Sequence, residues 1–144
     1  MAERTERATL NHLIETCRDG ERGFRYAANH VRAAEAKDLF LADADERERF
    51  AGELIPYARL GGHEEGEGSF TASLHRSWMG IRDAISRHDE TAIIHEAERG
   101  ERAAVSAYED AINGMLPPAA RDVIERQLDI VRRSHGRVQA LLAP

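Results

Sequence analysis

The sequence predicts an all-α protein in which four long helices form one antiparallel bundle. Of the 144 residues, 32% are charged, and Ala, Glu, Arg and Leu are abundant, a composition that favours helices over sheets. Apolar residues recur at alternating steps of three and four along four segments, as they do on the core-facing side of a helix. A glycine pair follows the second segment, and a proline pair precedes the fourth. At this length we expect one domain, spanning residues 1–144.

Signals at the helix ends define the four long segments. Gly61-Gly62 can end the second helix, and Asp89 can cap the third, which is expected to end near Asn113-Gly114. Pro117-Pro118 suits the first turn of the fourth helix, where no backbone N–H is needed. The approximate bounds that we expect are 5–33, 34–60, 90–113 and from 117 onward.

The connection between the second and third long helices has its own pattern. Residues 63–68 are acidic and rich in glycine, so we expect a loop there. Ser69 can cap a shorter helix that ends near His88 and carries Trp78 on its apolar stripe. In an antiparallel bundle of two hairpins, the link between the hairpins must cross the length of the bundle. We therefore expect the short helix to make this crossing, with Trp78 covering the bundle.

Charged residues interrupt two apolar stripes at the same place. Glu21 lies between Cys17 and Phe24 in the stripe of the first helix, and Glu101 holds the corresponding position in the third. Both glutamates belong to a Gly-Glu-Arg tripeptide. A carboxylate in an apolar core is costly unless a cation, a metal ion or a proton compensates it. The identity of that compensating group is therefore the main functional question.

The second and fourth helices each carry an arginine at the position along the bundle where the first and third carry these glutamates. Arg47 precedes Phe50 by three residues, and Arg132 precedes His135 by three, although the stripe of the fourth helix could pass through Val131 instead. The two hairpins thus share one pattern, which indicates an internal repeat. The stripe of the second helix consists of Phe40, Asp43, Arg47, Phe50, Leu54 and Tyr57.

Two repeated hairpins, a long connection and mid-helix charges resemble the ferritin-like superfamily, in particular a bacterial family of ferritin-like four-helix-bundle proteins without an assigned function. The segments that carry the resemblance are LNHLIETCRDGERGF, FAGELIPYARLGG, SLHRSWMGIRDAI and HEAERGERAAVSAYEDAINGMLPPAARDVIERQ. The resemblance extends over nearly the whole chain. The resemblance implies a ferritin-like antiparallel bundle with an additional short crossover helix.

The resemblance also implies where a metal centre would lie. Metal-binding members of the superfamily hold two iron or manganese ions with a Glu from each of two helices and a Glu-x-x-His from each of the other two. Glu21 and Glu101 match the single glutamates, and His135 matches one histidine. The remaining positions of the pattern hold Arg47, Phe50 and Arg132, which depart from it.

Electrostatics favours a layer of paired charges in the middle of the bundle over a metal centre. Two glutamates facing two arginines sum to zero charge, and guanidinium groups are permanently charged partners of carboxylates. We therefore predict a core charge layer formed by Glu21, Arg47, Glu101, Arg132 and His135. The alternative is a single iron or manganese ion on Glu21, Glu101 and His135, which requires both arginines to turn to solvent. A shift in helix register would instead bring Glu46 to the site.

The net charge and the distribution of apolar residues restrict the protein's possible binding partners and its cellular compartment. A net charge of -6 argues against nucleic acid as a partner, because surfaces that bind phosphate are normally basic. No apolar stretch is long enough to span a membrane and the N-terminus lacks a signal-peptide pattern, so we expect a cytoplasmic protein. Cys17, the only cysteine, lies on an apolar stripe and is expected to be a buried thiol.

Two classes of function remain. The first, our main hypothesis, is a non-catalytic bundle that acts through its surface, as a stress-associated or partner-binding protein without a cofactor. Its polar outer faces suggest a monomer or dimer. The second is a metal-dependent redox or storage protein of the ferritin-like kind. Nothing in the sequence identifies a catalytic residue.

Overall fold

Helices form all of the regular secondary structure in residues 2–60 and 80–143, the part of the chain that the computed structural model describes. No helix in this part is apolar over a length sufficient to cross a membrane. The prediction of an all-α helical bundle is confirmed. In chain order the helices are α1 (Ala2–Ala28), α2 (Ala34–Leu60), α3 (described over 80–86), α4 (Glu90–Asn113) and α5 (Pro118–Leu142).

The first helix ends earlier than its apolar stripe suggests. It stops at Ala28, although Val31 continues the stripe and is only 5% exposed. The backbone N–H groups of Arg32 and Ala33 donate to the Glu90 carboxylate at 2.7 and 3.1 Å. Residues 29–33 therefore form a short link, in which the first three N–H groups still bind carbonyl groups of α1 and the last two bind the start of α4.

The signals at the later helix ends are confirmed. The Asp89 carboxylate accepts a hydrogen bond from the Ala92 N–H at 3.0 Å and so caps α4. Helix α5 begins at Pro118, directly after Pro117. The stop signal at Gly61-Gly62, the expected loop at 63–68, the cap at Ser69 and the stripe around Trp78 lie outside the described residues, so they remain predictions.

The described core divides along the bundle into two apolar clusters, whose burial is the main stabilising contribution to such a fold. We name each cluster after one aromatic member. The Tyr108 cluster consists of Leu10, Leu13, Ile14, Cys17, Phe50, Ala51, Leu54, Ala58, Ala104, Ala107, Tyr108, Ala111, Leu116, Ala120, Ile124, Leu128 and Val131. The Phe40 cluster consists of Phe24, Ala27, Ala28, Val31, Ala36, Phe40, Ala44, Ile81, Ala84, Ile93, Ile94, Ala97 and Val138.

The order in which each helix passes through the clusters gives the bundle its topology. Helices α1 and α5 run from the Tyr108 cluster to the Phe40 cluster, whereas α2 and α4 run the opposite way. Contacts join α1 to α2, α2 to α5, α5 to α4 and α4 to α1. Each of these four long helices is therefore antiparallel to both of its neighbours. Because α2 ends beside one cluster and α4 begins beside the other, the link between the hairpins joins opposite ends of the bundle, as expected.

Candidate functional site

A polar layer separates the two apolar clusters, and each of the four long helices contributes at least one buried residue to it. These residues lie three or four positions from members of both clusters on their own helix. That spacing keeps all of them on the core-facing side of the bundle. The residues with this spacing, one from each helix, are Gly20 of α1, Arg47 of α2, Glu101 of α4 and Ser134 of α5.

The centre of this layer is an ion pair between Arg47 and Glu101. Nη2 of Arg47 lies 2.6 Å from Oε1 of Glu101, and the two side chains are 1% and 0% exposed. The Ser134 hydroxyl donates to the other oxygen, Oε2, at 2.6 Å. Both oxygens of the carboxylate are thus engaged, one by α2 and the other by α5.

The contact between Arg47 and Glu101 is mainly electrostatic. Although the two charges lie close together, the N–H groups of Arg47 are not aligned with an acceptor in hydrogen-bond geometry within the described structure. Burial lowers the pKa of Arg47, but the charge of Glu101 leads the contributions that raise it, and the net pKa lies above the ordinary value. The guanidinium group therefore remains charged in the core.

Helix α1 accommodates the Arg47 side chain. The guanidinium carbon lies 5.5 Å from the centroid of the Phe24 ring, an arrangement that favours a cation. A Cβ atom added to Gly20 would lie 3.4 Å from Cγ and 3.5 Å from Nη1 of Arg47. A longer side chain at position 20 would thus occupy the space beside the guanidinium group.

A second buried acid, Asp43, lies beside the ion pair. Its side chain is 2% exposed, and burial, together with the nearby charge of Glu101, raises its pKa to about 7. A hydrogen bond with Ser134 and the charge of Arg47 oppose this shift. Burial also raises the pKa of the half-buried Glu46 nearby. Asp43 belonged to the predicted stripe of α2, but its place in the charged layer was not anticipated.

The structure does not bring Glu21 into the layer. Its side chain is 25% exposed and accepts a hydrogen bond from Arg25 at 3.1 Å, on the same helix. Arg25 also contacts Asp45 and Glu48 of α2 at 3.2 Å. A stripe from Cys17 to Phe24 can pass through position 20 or 21, and Gly20 is the residue that faces the core.

In α5, the fourth long helix, the predicted residues also lie outside the buried layer. Arg132 is 54% exposed and pairs with Glu109 at 2.9 Å, so the predicted second buried ion pair does not form. His135 is 17% exposed, and its Nε2 lies 2.7 Å from Oε2 of Glu98. Ser134 takes the core-facing position between the stripe residues Val131 and Val138.

These contacts test whether the alternative metal ligands could act together. Glu21 binds Arg25, Glu101 binds Arg47 and Ser134, and His135 binds Glu98. Across residues 2–60 and 80–143, no group of three or more His, Cys, Asp or Glu side chains is arranged to hold a metal ion. The ligand set Glu21, Glu101 and His135 therefore does not fit one ion in this arrangement.

A second polar network crosses the Tyr108 cluster. The Tyr108 hydroxyl donates to Oε1 of Gln127 at 2.6 Å, and Nε2 of Gln127 donates to Glu53 at 2.8 Å. Because the one hydroxyl proton of Tyr108 is used in this way, the Cys17 thiol must donate in its 3.1 Å contact with the Tyr108 oxygen. Burial raises the pKa of Cys17 to about 11, so the thiol remains protonated and is buried as expected. Arg126 extends the network to the surface by binding Glu53.

Sequence reasoning missed Gln127. The residue is fully buried one position before Leu128, on the core-facing side of α5. A signal was present, because position 127 lies four residues before the apolar Val131 and seven before Ser134. A polar residue at such a position indicates a buried hydrogen bond in the same way that Glu101 indicates a buried ion pair.

Comparison with known proteins identifies a family without identifying an activity. The family model described as "Domain of unknown function (DUF2383)" matches residues 5–114. No curated protein matches the chain. The matched range includes Gly20, Arg47 and Glu101 and ends before α5, which supplies Ser134 and Gln127.

Proposed function

Because the chain belongs to the family described as a domain of unknown function (DUF2383), whose description assigns no activity, we propose a function from the buried layer itself. The protein is a non-catalytic helical bundle of ferritin-like type that acts through its surface, as a partner-binding or stress-associated protein. In this proposal an ion pair occupies the place that a metal centre holds in metal-binding members of the ferritin-like superfamily. The observation that carries the proposal is the full engagement of the Glu101 carboxylate by Arg47 and Ser134.

The charges of the layer support this proposal. A divalent ion at Glu101 would have to displace Arg47 from its carboxylate, or share the carboxylate with a cation that repels it at close range. Displacement would leave a guanidinium group that is 1% exposed without its partner, and a lone buried charge is strongly destabilising. The layer is thus suited to holding α2, α4 and α5 together and poorly suited to binding a metal.

The outer faces of the described helices support a surface role. Ion pairs link neighbouring helices there, such as Arg126 with Glu53 and Arg132 with Glu109. Among the described residues, the exposed large apolar side chains are Tyr26, Leu41 and Met115, which lie on different elements. A protein partner would therefore meet a mainly charged surface, and electrostatic complementarity would govern its recognition.

We predict that the protein purified from iron- and manganese-supplemented culture contains clearly less than one tightly bound transition ion per chain. We also expect no ferroxidase turnover with oxygen or peroxide, since the carboxylate that such chemistry needs is held by Arg47. Elemental analysis and the absorbance of an iron-loaded sample provide the measurement. A stoichiometric ion that is lost on Glu101→Gln would show the proposal to be wrong and would favour a metal-dependent redox or storage protein.

Two charge-reversal variants, one buried and one exposed, make this experiment more specific. Arg47→Glu should increase metal uptake, because it places a second carboxylate opposite Glu101 and near Asp43. Arg49→Glu is the matched control, since residue 49 is exposed on the same helix and the same charge is reversed. Equal uptake by the two variants would indicate a surface effect of charge alone.

We predict a monomer or dimer in solution. A storage shell needs large complementary apolar contacts on several faces, whereas the exposed large apolar residues of the described chain are few and lie on different elements. Light scattering of the purified protein measures this directly. A particle of about twenty or more subunits would contradict the prediction and support a storage function.

A further inference from the structure

A cavity of about 150 Å³ lies at the end of the bundle that holds the Phe40 cluster, where the link between α1 and α2 meets the start of α4. Pockets for drug-sized ligands measure roughly 300–1,000 Å³, so this cavity suits a small ion. Its polar lining contains one acid and three basic side chains. The lining residues are His30, Arg32, Ile85, His88, Glu90 and Ile93.

The acid of this cavity already has donors from the protein. The two oxygens of Glu90 accept the backbone N–H groups of Arg32 and Ala33 at 2.7 and 3.1 Å. These bonds also fix the backbone of Arg32 beside the start of α4. The Arg32 guanidinium group itself makes no hydrogen bond or ion pair within the described part of the chain. Its five N–H donors are therefore available to a ligand.

His30 is held in a defined tautomer. Its Nδ1 lies 2.8 Å from the backbone oxygen of Tyr26, and a carbonyl oxygen can only accept, so Nδ1 carries the hydrogen. The Tyr26 ring packs against the imidazole with a centroid distance of 4.9 Å. In the neutral ring Nε2 is then an acceptor. His30 thus brings an uncharged hydrogen-bond acceptor to a cavity that also holds the donors of Arg32.

His88 occupies a backbone position that favours glycine. Its φ is 54°, in the left-handed region. The His88 N–H donates to Ile85 O at 2.9 Å and the Asp89 N–H to Ala84 O at 3.2 Å, the Schellman pattern that ends α3. The His88 side chain makes no hydrogen bond or ion pair to any residue that the structure describes. The end of α3 therefore does not require a histidine, and the imidazole is available to a ligand.

We propose that this cavity binds hydrogen phosphate, an oxyanion that carries one proton. Arg32 donates to its oxygens, for which the planar guanidinium group is well suited, and His88 donates a ring N–H. Nε2 of His30 accepts the proton of the phosphate. The start of α4 adds a partial positive charge. The proposal goes beyond a surface-acting bundle, because it assigns the protein a small-molecule ligand at a place separate from the buried charge layer.

The central experiment titrates sodium phosphate into the unmodified full chain at constant ionic strength and follows the backbone amide signals of Arg32 and His88 by NMR. At about pH 8 an ordinary imidazole is neutral. We expect saturable shifts with phosphate and roughly fivefold weaker binding of sulfate, because sulfate has no proton to donate and loses one hydrogen bond. Shifts that rise without saturating, or equal affinity for the two ions, would overturn the proposal.

Two variants assign the binding to the cavity. Arg32→Gln should weaken phosphate binding by about tenfold or more, because it removes a charged donor. Arg87→Gln is the matched control, since Arg87 precedes His88 but pairs with Asp83 at 3.3 Å and does not line the cavity. We expect this control to bind phosphate like the wild type, and an equal loss in both variants would overturn the proposal. A chelator is present throughout, so the result is independent of any bound metal.

Discussion

Arg47→Met is expected to destabilise the protein by roughly 3–5 kcal/mol, because it leaves the Glu101 carboxylate in the core without its cation. Glu101→Leu should be costly for the same reason, since it leaves Arg47 unpaired. The double variant Arg47→Met/Glu101→Leu should lose much less than the sum of the two single variants. Chemical denaturation of all three variants and the wild type completes the cycle.

The control for this cycle also tests where the second arginine lies. Arg132→Met removes an exposed side chain that pairs with Glu109, and we expect a cost below about 1 kcal/mol. A loss comparable to that of Arg47→Met would instead place Arg132 in the core. Strict additivity of the Arg47 and Glu101 effects would contradict the inferred coupling.

Gln127→Leu is expected to cost roughly 1–3 kcal/mol, because the fully buried Tyr108 hydroxyl then loses its acceptor. Tyr108→Phe leaves Oε1 of Gln127 without its donor and should have a similar effect. In the double variant both partners are apolar, so the loss should be smaller than the sum of the single effects. The unfolding free energies of these variants provide the measurement.

Arg126→Met is the appropriate control for the Tyr108 network. Its side chain is 51% exposed and binds Glu53 at the outer end of the same network. We expect a change below about 1 kcal/mol, because exposed ion pairs contribute little. If Gln127→Leu were as mild as Arg126→Met, the buried hydrogen bonds would contribute little to stability and the network would be incidental to the fold.

Much of the fold was predictable because it depends on local signals. The cap at Asp89 and the start of α5 follow from neighbouring residues and match the structure, and α2 spans the expected residues 34–60. The end of α1 did not follow, because Val31 packs in the core without being helical and Glu90 binds the link from a distant part of the chain. Long-range contacts of this kind leave no trace in helical periodicity.

The candidate site was predictable only in part. Arg47 and Glu101 stood out because a charge in an apolar stripe must find compensation, and the structure pairs them. Asp43 and Gln127 were harder to recognise, because their roles depend on partners that come from other helices. For such residues a pattern along one helix indicates burial but does not indicate the partner.

The sequence by itself determined which segments are helical and that charged residues interrupt an otherwise apolar core. Only the tertiary structure decided which side chains enter the layer at α1 and α5. Steps of three and four both continue a helical stripe, so position 20 or 21 and position 134 or 135 satisfy the same periodicity. Packing selects Gly20, because the buried Arg47 side chain occupies the space beside it, and Ser134, because its hydroxyl reaches Glu101 across the core.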